Sequence, residues 1–259
     1  MELARAGNRI VMANRNRDKS EALKAEIVGA SGNNNIELLD LDLASLESVR
    51  LCAHAFKAKY GTLDILLNNA GLMSPTEVIT EDGYELQFAV NALAQFELTL
   101  ELLPALEAAA PSQVIFITSM MHKFGKLNTD SFTGWKKYSG GASYSQSKLV
   151  MMLLARELAE RLADRNIGVN TLHPGAVNTG ILDSYSKPAQ FFLRKLFISP
   201  EKGAKTSLYL AGLTPGAMPT GKYFISEKEA RPHNMVEDAA AREKLWDSCC
   251  GFLNRDVAL

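Results

Sequence analysis

The stretch Leu63-Asp64-Ile65-Leu66-Leu67-Asn68-Asn69-Ala70-Gly71 decides the fold class. Its first half is an apolar run without regular polar alternation, as expected of a strand buried on both faces. Its second half is Asn, Asn, Ala and Gly, residues that end a strand in a turn and let other groups come close to the backbone. The same pattern recurs outward in both directions, at Arg9-Ile10-Val11-Met12-Ala13, Ile36-Glu37-Leu38-Leu39-Asp40, Val114-Ile115-Phe116-Ile117, Gly168-Val169-Asn170-Thr171-Leu172 and Lys222-Tyr223-Phe224-Ile225. Helical patterns lie between them, at 18–29, Ser45–Tyr60 with Ser45 as N-cap, 83–109, Tyr144–Asn166 and 200–213. Buried strands alternating with helices predict a mostly parallel sheet covered on both faces. Right-handed crossovers make that sheet doubly wound. In such a sheet ligands bind beyond the carboxyl ends of the strands. Those ends are rich here in Asn, Ser, Gly and His.

Composition bounds the rest. The chain has 259 residues, 47% hydrophobic and 22% charged, with formal net charge -1. That is an ordinary globular balance, with no global field to attract nucleic acid or an anionic membrane. Cys52, Cys249 and Cys250 fit neither a disulfide framework nor a zinc spacing, so a reducing, cytoplasmic setting is expected. No apolar run is long enough for a membrane span, and Met1-Glu2-Leu3-Ala4-Arg5 does not read as a signal peptide. His54, His173 and His233 show no metal-ligand spacing, and no metal is expected.

The chemistry starts at Tyr144-Ser145-Gln146-Ser147-Lys148. Tyr and Lys at i, i+4 share one helix face. A free phenol, with its pKa near ~10, is a poor proton shuttle at neutral pH. A neighbouring ammonium favours the phenolate and lowers that pKa. Alone, the spacing is common by chance and also reads as an exposed helix face. Thr118-Ser119 ends the run 114–117, where a hydroxyl can hold a substrate oxygen or simply cap a turn. Asn68-Asn69-Ala70-Gly71 can border a ligand or be a plain turn.

In order, the chain carries Asp42-Leu43, Asn68–Gly71, Asn91 within Val90-Asn91-Ala92, Ser119, Tyr144-x-x-x-Lys148 and Pro174-Gly175. This set resembles the short-chain dehydrogenase/reductase family, whose sheet is of Rossmann type, over residues 1 to about 235. The gap from Ser119 to Tyr144, the stretch Ser143–Leu149, Gly221-Lys222-Tyr223-Phe224 and Glu229-Ala230-Arg231-Pro232 resemble its retinol-dehydrogenase-like branch. The resemblance implies a single domain over 1–259. It implies an oxidoreductase that moves a hydride between a nicotinamide cofactor and a lipophilic alcohol, aldehyde or ketone of retinoid, steroid or long-chain type. Tyr144 would exchange the proton, and Lys148 would lower the Tyr144 pKa and bond the nicotinamide ribose. Ser119 would hold the substrate oxygen, and Asn91 would keep a water behind Lys148. Asn69, Ala70 and Gly71 would line the adenosine side of the cofactor groove, with Asp42 on the adenine and Leu43 beside it. Pro174, Gly175 and Val177 would shelter the nicotinamide, and Thr179 would contact its carboxamide or the pyrophosphate. The segment around 180–200 would be a substrate lid, and its Phe191-Phe192-Leu193-Arg194-Lys195 also reads as an interfacial helix or as plain core packing. Homo-oligomers would form through the long helices 83–109 and 144–165.

Two departures qualify the resemblance. After the first apolar run the chain reads Asn14-Arg15-Asn16-Arg17, with no acid for a ribose 2′-hydroxyl; Arg15 can pair with a 2′-phosphate, so NADP(H) is expected ahead of NAD(H). The family's first strand and its glycine-rich loop, which takes the pyrophosphate at a helix N-terminus, have no counterpart ahead of Arg9. The expected reading is that the chain starts late, at an internal Met of a longer frame. The other is a true short form with weak cofactor binding, which leaves open a non-catalytic regulatory or interaction protein on a reductase scaffold. Either way, two neighbouring strands are expected to lose a central partner.

Overall fold

A computed structural model describes residues 1–175, 199–213, 219–255 and 259. Seven strands appear among them: β1 (Ile10–Asn14), β2 (Ile36–Asp40), β3 (Ile65–Asn68), β4 (Ser112–Ile117), β5 (Ile167–His173), β6 (Tyr223–Ile225) and the short β7 (Lys228–Glu229). The helices are α1 (Glu2–Arg5), α2 (Arg17–Ser31), α3 (Leu46–Lys59), α4 (Leu86–Phe88), α5 (Ala94–Ala109), α6 (Gly140–Arg161), α7 (Pro200–Ala211) and α8 (Ala239–Phe252), with a π-turn at Ala89–Leu93 joining α4 to α5. The α/β class and the mostly parallel sheet are as the apolar runs require.

Every strand pairs in parallel except β7, which folds back antiparallel on β6. The order β3-β4-β5-β6-β7 forms one sheet, and β1-β2 form a separate pair. Among the described strands β1 bonds only to β2, and β3 only to β4. Residues 1–9 supply no strand: they form α1 and then a turn at Gly7, whose φ of 82° suits glycine. The expected loss of a central partner is therefore visible as an interrupted sheet.

Period-two alternation assigns each strand residue to one face. Val11, Ala13, Leu39, Val114, Phe116, Val169 and Tyr223 point into the large core under α3, α5, α6 and α8. Ile115, Leu172 and Phe224 point the other way, beneath Leu210 of α7. Ile10, Met12 and Ile36 meet Ile27 of α2 and Ala4 of α1. On this second face the two small clusters stay separate, which mirrors the break between β1 and β3.

Local signals place the helix ends. Ser45 caps α3 by accepting from the Ser48 amide, and Asn16 caps α2 by accepting from Lys19. Helix α2 runs to Ser31, two residues beyond the expected end at 29, and closes on Gly32 at φ 71°. Helix α6 starts four residues before Tyr144, capped by Ser139. That puts Tyr144 in the second turn rather than at the end. Pro200 starts α7 behind the cap Ser199. Helix α8 lacks an expectation from sequence. It lies on α6, with Trp246 edge-to-face on Phe96 of α5 at 4.8 Å and Arg161 over its ring at 4.4 Å. The long helices are buried on nearly every side within one chain. Subunit pairing through them, as expected above, would have to displace α8. No described helix is long and apolar enough to cross a membrane.

Trp246 fills this contact at 2% exposure. Trp246→Ala should lower the unfolding free energy by about 3–5 kcal/mol. Urea denaturation followed by circular dichroism reads the loss; a change below about 1 kcal/mol would mean that α8 is not an integral layer.

Candidate active site

The carboxyl ends of β3, β4 and β5 and the first turns of α6 meet at one place. Tyr144 and Lys148 project from α6, exposed by only 7% and 3%. The Lys148 Nζ lies 5.9 Å from the centre of the Tyr144 ring and donates to the Ile117 carbonyl at the end of β4, 3.1 Å away. Burial pushes the Lys148 pKa down to about 8, so the amine stays mostly protonated at neutral pH. Thr118 adds a tie, its hydroxyl donating to the Lys148 carbonyl at 3.3 Å. The exposed-face reading of Tyr-x-x-x-Lys is thereby excluded.

Gly71 closes on the same amine. A Cβ at that position would sit 3.1 Å from Lys148 Nζ and 3.6 Å from Asn91 Oδ1, so a hydrogen is what allows the approach. Asn69, Ala70 and Gly71 line an exposed loop, while Asn68 is buried and donates to Thr99 Oγ1. Asn91 is fully buried in the π-turn, a distortion that often marks functional sites. Its side chain bonds both backbone polar groups of Leu72, at 2.8 and 2.9 Å, and donates to Ser147 Oγ at 3.0 Å. Ser147 in turn donates to the Tyr144 carbonyl. Asn91 thus ties the loop after β3 to the helix that carries Tyr144.

Ser119 follows β4 and caps the 3-10 turn Met120–Phe124, accepting from the Met121 amide at 3.3 Å. Pro174 and Gly175 follow β5, and Gly175 adopts φ 91°, a left-handed value that favours glycine. Val177, Thr179 and most of the expected lid lie outside the described residues. Asp42 and Leu43 lie just after β2. Asp42 Oδ1 accepts from the Ala44 amide at 2.9 Å, and Leu43 packs on the core. Arg15 is exposed after β1 with no hydrogen bond or ion pair among the described residues, whereas Arg17 is held by Glu21 and Asp40. Arg15, Asp42 and Leu43 belong to the β1-β2 unit, and the others to the larger sheet.

Three contributors had weak sequence signals. Gln95 donates to the Ala70 and Val90 carbonyls, both at 2.9 Å, and so braces the loop after β3 against the π-turn. Glu85 accepts from Ser143, the neighbour of Tyr144. Ser147, one helical turn beyond Tyr144, was legible from spacing alone. Among the described residues no cluster of His, Cys, Asp and Glu could hold a metal.

Comparison with known proteins places this site. A family model described as short chain dehydrogenase matches residues 1–190. Human retinol dehydrogenase 13 is 40% identical over 258 aligned residues, covering 95% of this chain and 77% of that protein. Human retinol dehydrogenase 14 is 37% identical, covering 95% and 79%. Among solved structures, an uncharacterized protein from Mycobacterium paratuberculosis superposes with TM-score 0.79 and 29% identity, over 100% of this chain and 88% of that one. The Pseudomonas aeruginosa RhlG/NADP complex superposes with TM-score 0.69 and 26% identity, over 86% of each chain. The chain belongs to the short-chain dehydrogenase family, in its retinol-dehydrogenase-like branch. It is an oxidoreductase by family, and a nicotinamide is the cofactor that the family uses.

Burial also sets a pH response beside the site. His173, at the end of β5, has its pKa lowered to about 4, first by burial and then by the nearby His122. Its ordinary value is 6.5, so below that pH the unfolded chain binds a proton that the folded chain refuses. Stability is then fully present above about pH 6.5 and falls as pH drops towards 4. Urea midpoints measured at pH 7 and pH 5 should differ less in His173→Asn than in the unaltered chain; an equal difference would mean that the ring is protonated when folded.

Proposed function

We propose that this chain moves a hydride between NADP(H) and a lipophilic alcohol, aldehyde or ketone. The observation that carries the reading is the buried Tyr144–Lys148 pair, anchored on β4 and pressed against Gly71. Lys148, an ammonium at neutral pH, stabilises the phenolate left when Tyr144 gives its proton to a carbonyl oxygen. In the reverse direction Tyr144 takes the proton of the alcohol. Ser119 Oγ holds the substrate oxygen during the transfer. Asn91 keeps a water behind Lys148, at the π-turn.

The residues present fit a nicotinamide cofactor in part. Asn69, Ala70 and Gly71 form an exposed wall, where a side chain at Gly71 would crowd Lys148 Nζ at 3.1 Å, and they would line the adenosine side. Asp42 and Leu43 would flank the adenine, while Lys148 would bond the ribose. Pro174, Gly175, Val177 and Thr179 would border the nicotinamide. Arg15, with its guanidinium uncommitted among the described residues, would pair with a 2′-phosphate and favour NADP(H) over NAD(H). A glycine-rich phosphate loop is not among residues 1–9. When bound, the cofactor gives or takes the hydride, and the protein supplies placement and the proton.

The same reading takes 1–259 as one domain with a substrate lid around 180–200, which suits a retinoid, steroid or long-chain aldehyde. A homo-oligomer would use surfaces away from α8. A reducing, cytoplasmic setting fits the three cysteines, which are buried and form no disulfide among the described residues. A second reading, a regulatory or interaction protein on this scaffold, draws on the interrupted sheet.

Two measurements separate them. Tyr144→Phe should abolish NADP(H)-dependent turnover of a lipophilic aldehyde while leaving the circular dichroism unchanged; full turnover would sink the assignment of Tyr144. Fluorescence titration should give tighter binding for NADPH than for NADH. Arg15→Ala should weaken NADPH by about tenfold, or ~1.4 kcal/mol, and leave NADH unchanged. No turnover by the unaltered chain with any carbonyl substrate would favour the second reading.

A further inference from the structure

His122 sits in the turn Met120–Phe124 among exposed residues: Met120, Met121, Lys123 and Phe124 all face solvent, whereas His122 is 0% exposed. An imidazole drawn inward from such a turn needs partners that offset the loss of water. The ring has one such partner, and the backbone of the same residue shares it. The His122 backbone amide donates to the Ser119 carbonyl at 3.1 Å, and the ring Nδ1 lies 2.6 Å from that oxygen. A carbonyl only accepts, so Nδ1 must carry the proton. Nε2 is then the lone-pair nitrogen, and it is buried with no hydrogen-bond partner among the described residues. The arrangement selects one neutral tautomer.

The ring is also clamped from the side. Tyr223 of β6 meets it edge-to-face at 5.0 Å and 81°, and the Tyr223 hydroxyl reaches Met120 Sδ at 3.6 Å. Ser119, by contrast, uses its hydroxyl among the described residues to accept a 3.3 Å bond from the Met121 amide, which leaves the hydroxyl proton available to donate. The direction of Ser119 Oγ therefore depends on how firmly the Ser119 backbone is held. Two donors from one residue hold it.

We propose that His122 is a positioning residue for Ser119, its Nδ1–H and amide together fixing the Ser119 carbonyl so that Oγ is aimed at the substrate oxygen. The inference rests on the reading of Ser119 given above. A residue that merely fills space would be replaceable by any ring of similar size. A residue that acts through Nδ1 is replaceable only by a group with a donor at that place.

The test uses three variants of the full chain. The amide nitrogen in His122→Asn falls near the position of Nδ1, and that in His122→Gln near Nε2. His122→Phe keeps a ring and removes both nitrogens. His122→Asn should keep kcat within about threefold, whereas His122→Gln and His122→Phe should lose about 10- to 100-fold. The affinity for NADPH should stay within about twofold in all three, so the loss falls on kcat. Equal kcat in His122→Asn and His122→Phe would overturn the proposal. A readout independent of turnover is the ring tautomer. In protein labelled with 15N-histidine, the His122 signals, assigned by their absence in His122→Asn, should show a proton on Nδ1 and none on Nε2. An Nε2–H tautomer, with Nδ1 unprotonated, would overturn it equally. A wild-type chain without turnover would remove the oxidoreductase reading, and the tautomer would still decide whether His122 holds Ser119.

Discussion

A lysine ammonium leaves water only where something takes over its hydration, and that constraint organises this molecule. Lys148 is buried inside helix α6, and its charge rests on the carbonyl of Ile117 at the end of β4. The contact can exist only if α6 crosses the sheet directly above that strand end. The glycine at 71 leaves room for it, because a Cβ there would lie 3.1 Å from Nζ. Tyr144, one turn earlier, is carried to the same spot. Asn91, through Ser147, and Thr118 then tie the segments after β3 and β4 to this helix.

Such a helix must be surrounded. Apolar residues on all sides of α6, and on most of α5, enter one core with the sheet face that carries Val114, Phe116 and Val169. The remaining side is covered by α8 through Trp246, and charge locks that cover in place. Arg242 of α8, 3% exposed, meets Glu157 at 3.2 Å and Glu160 at 2.5 Å on α6. Beyond α8, Arg255 reaches the fully buried Glu97 of α5 at 2.8 Å, which Arg50 of α3 also contacts at 2.7 Å. Removing one member of such a buried set strands the others, so these pairs fix where the C-terminal segment lies more than they add to net stability.

The β1-β2 unit is held differently. It shares the large core through Val11, Ala13 and Leu39, but its second face meets only α1 and α2. Arg15, Asp42 and Leu43, offered for the adenosine end of the cofactor groove, therefore stand on a pair of strands with no ladder to the larger sheet among the described strands.

The sequence alone determined the class. Six apolar runs with intervening helical periods specify buried parallel strands, because only helices on both faces can cover a strand that is apolar on both sides. It also marked Asn91, Ser119, Tyr144 and Lys148, whose residue types and order carry the family resemblance. Local chemistry such as the cap Ser45 was legible because that bond spans only three residues. Tertiary structure decided what depends on long-range contact. Tyr144-x-x-x-Lys148 is buried rather than exposed because β4 lies beneath it. Asn91 bonds Leu72 and Ser147, partners 19 and 56 residues away that no local pattern announces. Helix α8 had no sequence expectation because its inward residues matter only once α5 and α6 present a face to cover. His122 had no sequence expectation, and the approach of Tyr223, a hundred residues further on, goes with its inward ring.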